Sequence, residues 1–128
     1  MKIRWLDRTL ITGPYLCLCK TEDELKAVYE HAKQEYPEEG NLRFPTPGAA
    51  STLIFSSEEA EIITVVALGD VGERSIAEVS AVLAHEASHV LDAFFEYIHE
   101  DKPSSEFKAY CLQAIVEKLV TDYKRKRR

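Results

Sequence analysis

The chain has 128 residues, 45% hydrophobic and 30% charged, with a net charge of −6. That length and composition suit one globular domain with a true core, residues 1–128, and exclude a disordered or collagen-like chain. No stretch approaches the ~18 apolar residues of a membrane span, and Met1-Lys2-Ile3-Arg4-Trp5-Leu6-Asp7-Arg8 does not read as a secretory signal. Three cysteines is an odd number, which argues against a disulfide framework and for a reducing, cytoplasmic setting with buried free thiols.

In chain order, Tyr15-Leu16-Cys17-Leu18-Cys19 predicts a strand, with a weaker candidate at Ile3 to Leu6. Thr21-Glu22-Asp23-Glu24 is a capping-box pattern that opens a helix through about Gln34. The prolines and glycines between Tyr36 and Gly48 predict an irregular loop or a lid-like excursion. Ser51 to Phe55 and Ile62 to Leu68 are rich in β-branched and apolar residues and predict a hairpin or two neighbouring strands across Ser56 to Glu61. Ser75-Ile76-Ala77-Glu78 opens a second helix reaching about Glu100, and Lys102-Pro103-Ser104-Ser105 separates it from a last helix, Ser105 to Lys124. The order β, α, loop, ββ, α, α predicts an α+β fold with helices packed on a small sheet.

The second helix carries His85-Glu86-Ala87-Ser88-His89. Two imidazoles four residues apart can hold one Zn²⁺ from a single helical face, and the glutamate between them can handle protons. At 100° per residue Ile76, Val79, Leu83, Ala87, Val90, Leu91, Phe94 and Ile98 form one apolar arc. His85 and His89 fall opposite it, and Glu86 falls between that polar side and the core. An ordinary solvated face with two histidines is the alternative. A catalytic zinc takes three protein ligands and a water, so a third donor is required. Asp92, Glu96, His99, Glu100, Asp101 and Glu106 are the downstream candidates. Asp92 could reach a shared ion or orient a ligand. Glu106 opens the last helix, where Glu106, Tyr110, Gln113 and Glu117 form one polar stripe. If that stripe faces the metal, Glu106 is the third ligand, and Tyr110 could donate its hydroxyl to a developing oxyanion or steady Glu106. A solvated stripe is again the alternative.

The pentad together with Ser105-Glu106-Phe107-Lys108-Ala109-Tyr110-Cys111-Leu112-Gln113 resembles small zincin-like proteins of bacteriophages and prophages. Those pair an H-E-x-x-H helix with a downstream E-F-x-A-Y segment. The resemblance covers about residues 75 to 117. It implies a minimal zincin-like fold, a gluzincin-like ligand set of His85, His89 and Glu106, and Glu86 as general base of a zinc metallopeptidase. The N-E-x-x-S-D type of ligand segment found in larger gluzincins is absent. The expected partner is a peptide or protein substrate, of phage or host, met in the bacterial cytoplasm or on the virion. An extended peptide would add to a strand within Ser51 to Leu68. The alternative is a non-catalytic zincin-fold structural or adaptor protein of a phage particle; a third option is a regulator that cleaves one dedicated partner. The terminal run Lys124 to Arg128 is basic, whereas the rest carries 11 basic against 22 acidic residues. Such an acidic body repels nucleic acid, so the tail reads as solvated and as complementing a helix C-terminus.

Overall fold

The computed structural model describes residues 1–6, 15–56 and 62–125. The predicted turn at Ser57 to Glu61 and the last residues of the basic tail, 126–128, lie outside that range. The elements run β1 (Tyr15–Cys19), α1 (Glu22–His31), β2 (Ala50–Ser56), β3 (Ile62–Leu68), α2 (Ile76–Tyr97) and α3 (Ser105–Lys124). The fold is α+β: three strands in the order β1-β3-β2, with three helices. The candidate strand at Ile3 to Leu6 does not form. That segment contributes one backbone hydrogen bond to β1, from Leu6 N to Leu16 O (2.7 Å).

The central strand explains its own sequence. β3 pairs in parallel with β1 and antiparallel with β2, and both its faces are covered, so Ile62-Ile63-Thr64-Val65-Val66-Ala67-Leu68 is a continuous apolar run. Its lone polar side chain, the buried Thr64, donates its hydroxyl to Tyr15 O across the sheet (3.1 Å). Alternation divides the strands between two cores. Cys17, Cys19, Leu53, Ile63, Val65 and Ala67 meet Leu25, Val28 and Tyr29 of α1 on one face. On the other, Leu16, Leu18, Val66 and Leu68 meet α2 and α3 through Leu83, Val90, Phe94, Ile115 and Leu119. The thiols of Cys17, Cys19 and Cys111 are free and buried.

Both predicted capping patterns act as caps, in different ways. At α2 the box is reciprocal: Ser75 Oγ accepts from Glu78 N, and Glu78 Oε1 accepts from Ser75 N. At α1 Thr21 accepts from Glu24 N, but the Glu24 carboxylate accepts from Lys20 N (2.7 Å), one residue earlier. Both helices stop short of the predicted ends at Gln34 and Glu100. Each closes in a Schellman turn with a non-glycine residue at positive φ, Lys33 or His99, both at 57°. Gln34 N donates to Tyr29 O and Glu100 N to Phe95 O, satisfying the last-turn carbonyls.

The segment after α1 is a tethered loop. Tyr36 Oη donates to Glu22 (3.0 Å) and accepts from Phe44 N (2.7 Å), while Arg43 donates to Glu22, Pro37 O and Glu38 O. Tyr29 Oη donates to Leu42 O. Tyr36 and Phe44 pack on the core beneath α1, the layer across the sheet from α2. Among the described residues no helix is long and apolar enough to cross a membrane.

Candidate metal centre

The helical phase of α2 distributes the pentad as its sequence implies. Val79, Leu83, Ala87, Val90, Leu91 and Phe94 are buried, whereas Ile76 at the first turn stays half exposed. His85 and His89 are exposed on the opposite side, their rings edge to face with centroids 5.2 Å apart. No hydrogen bond among the described residues ties up either ring, and the His85 side chain is 70% exposed. Both rings therefore have room to turn their nitrogens towards one ion. Ser88 sits apart from this chemistry, its hydroxyl donating back to His85 O (2.7 Å).

Glu86 is placed differently from its neighbours. It is 6% exposed, tucked under the helix against β2, where Thr52 Oγ1 donates to its Oε1 (2.9 Å) and approaches its backbone carbonyl (3.3 Å). The other carboxylate oxygen, Oε2, lies 3.9 Å from His85 Nε2. A buried carboxylate thus sits between the sheet and the histidine face. Thr52 is the participant that sequence reasoning missed. Its one available sign was a polar β-branched residue between Ala50 and Ile54 on one face of the strand.

β2 is an edge strand. The bond from Gly69 N to Ala49 O (2.9 Å) sets the antiparallel alternation, so Ser51, Leu53 and Phe55 turn their backbone groups to β3. Thr52 and Ile54 turn theirs away from β3, to an edge that no strand among the described residues pairs. Ile54 is 54% exposed, on the same strand face as Thr52.

The third ligand is not brought in. Glu106 and Tyr110 are exposed at the start of α3, as are Gln113 and Glu117, so the polar stripe faces outward. The helix buries Cys111, Ile115, Leu119 and Asp122 instead. The register explains the separation. Phe107 packs on Phe95, ring centroids 5.8 Å apart. His89 lies six residues up α2 from Phe95, about 9 Å along the axis, so the α3 N-terminus sits beyond the histidine pair. Among the described residues no group of three His, Cys, Asp or Glu side chains converges as a metal site. Asp92, on the histidine stripe, is exposed too. The expected ligand set is therefore present as a pair, with Glu106 and Asp92 apart from it.

No protein-family model, curated protein or solved structure matches this chain.

Proposed function

We propose that the chain is a zinc-dependent metallopeptidase of the zincin type. The observation that carries this reading is the placement of the pentad: two adjacent imidazoles on one helix face with no hydrogen bond among the described residues, and a buried carboxylate turned towards them beneath the edge strand β2. Imidazole nitrogens suit zinc, and His85 and His89 supply two of the three protein donors such a site takes. His85 and His89 would hold the ion, and Glu106 completes the set if the first turn of α3 moves inward. Zinc, when bound, supplies Lewis-acid polarisation of a carbonyl and a water of lowered pKa.

The chain's own groups supply the rest. Glu86 Oε2 accepts the proton of the attacking water and passes it to the departing amine. The open edge at Thr52 and Ile54 offers backbone donors and acceptors to an extended peptide, and the Ile54 side chain offers an apolar contact beside it. The resemblance of the pentad and the Glu106 to Tyr110 segment to phage and prophage zincin-like proteins supports a phage or host protein as substrate.

Metal content and turnover test the reading together. Wild type should carry about one zinc per chain, lost in His85→Ala and in Glu106→Ala. Glu86→Gln should keep the zinc and lose hydrolysis of a denatured-protein or peptide-library substrate. Zinc absent from metal-supplemented wild type sinks the reading. Zinc retained in Glu106→Ala moves the third ligand elsewhere, with Asp92 the next variant. A zinc-loaded wild type that cleaves no peptide leaves a metal-stabilised adaptor of the same fold.

A further inference from the structure

We infer that Thr52 is a positioning residue, holding the Glu86 carboxylate in one orientation towards the histidine pair. Its catalytic consequence rests on the metallopeptidase reading. A carboxylate as buried as Glu86 is costly unless hydrogen-bonded, and among the described residues the hydrogen bond it receives comes from Thr52. The terminal torsion of a glutamate is broad, so packing alone sets the carboxylate plane only loosely. A hydroxyl bonded to one oxygen fixes that plane and leaves the other oxygen aimed at His85 for proton transfer. Threonine suits the task because branching at Cβ stiffens χ1, and pairing of Thr52 with Val66 on the central strand fixes where its side chain starts. The same residue turns its backbone to the open edge of β2. A peptide strand added there is therefore registered directly against the residue that holds the base.

The test compares Thr52→Val, which keeps the shape and removes the hydroxyl, with Thr52→Ser, which keeps the hydroxyl. In metal-free protein Thr52→Val should lower Tm by about 5–10 °C, and Thr52→Ser should restore most of it. In a Glu86→Gln background the drop should be less than half as large, because a neutral amide loses less than a carboxylate when its partner is removed. Zinc stoichiometry should be unchanged in Thr52→Val. In the zinc-loaded enzyme its kcat should fall about 10- to 100-fold with KM nearly constant, and Thr52→Ser should recover it.

Equal Tm losses in both backgrounds, or full kcat in Thr52→Val, would overturn the inference. If zinc-loaded wild type hydrolyses nothing, the peptidase reading falls by itself. The thermal comparison still decides whether Thr52 holds the Glu86 carboxylate.

Discussion

Gly69 and Gly72, three residues apart between β3 and α2, separate two reasons for using glycine. At Gly69 the reason is space. A Cβ there would lie 2.3 Å from Thr46 O, 3.0 Å from Ala49 O and 3.1 Å from Pro45 O. A Cβ essentially never comes within 3.0 Å of another heavy atom, so the loop would have to retreat by roughly 0.7–1 Å. That loop is held on both sides: Gly69 N donates to Ala49 O (2.9 Å) and Gly48 N to Asp70 O (2.8 Å). Moving it displaces the start of β2, two residues before Thr52. Overpacking costs about 1–3 kcal/mol, and a collision with one backbone oxygen flanked by two tight contacts belongs at the upper end. Gly69→Ala should therefore lower Tm by about 10–15 °C. At Gly72 the reason is conformation. Its φ is +61° with nothing within 4 Å of a Cβ, so Gly72→Ala should cost about 1 kcal/mol, a Tm loss of about 3–5 °C. Gly72→Asn should cost less still. Thermal unfolding followed by circular dichroism reads all three. A Gly69→Ala protein within 2 °C or so of wild type, or a Gly72→Ala protein less stable than Gly69→Ala, would refute the steric account.

Ser75→Ala should lower Tm by a few degrees by removing the hydroxyl half of the α2 cap. Hydrogen bonds from the Ser75 backbone and side chain hold the Glu78 carboxyl below its ordinary range. Its contribution is therefore complete above that range and is lost as pH falls through the lowered folded value. Glu78→Gln, which cannot titrate, should accordingly show a shallower loss of Tm with acidification, and an unchanged acid limb would count against the cap. All three thiols should resist a neutral-pH thiol reagent until the chain unfolds. Cys17, Cys19 and Cys111 are buried. Hydrogen bonding with Cys19, then burial and nearby acidic groups, push the Cys17 thiol well up, and burial raises Cys111. A fast-reacting thiol in the native protein would contradict that burial.

The parts of the fold legible in the sequence are those that depend on neighbours along the chain. β1 and α3 form over the predicted residues because alternation, a serine cap and a preceding proline are local signals. The two overestimated helix ends show where such signals stop. Lys33 and His99 adopt the left-handed conformation that glycine would have announced. The division of the sheet into two cores was hidden as well. A run such as Ile62 to Leu68 shows that a strand is covered on both faces, but not that α1 takes one face while α2 and α3 take the other.

The candidate site divides along the same line. His85, Glu86 and His89 share one helix, so a 100° step places two on the open side and one at the core margin, as the structure has them. Glu106 and Thr52 reach the site, or fail to, through contacts between elements. The polar stripe on α3 suggests a polar site because the rest of the helix is so apolar, but the opposite face decides how the helix turns. Cys111, Ile115 and Leu119 recur every four residues, and burying them against α2 turns Glu106, Tyr110, Gln113 and Glu117 to solvent. The seating of Phe107 on Phe95 then fixes how far along α2 the glutamate lies. Thr52 meets Glu86 because hairpin pairing of β2 with β3 sets its height. Helical phase can thus place a histidine pair and the carboxylate beside it, whereas the position of Glu106 and the group that meets the carboxylate depend on registers set by side chains far off in the chain.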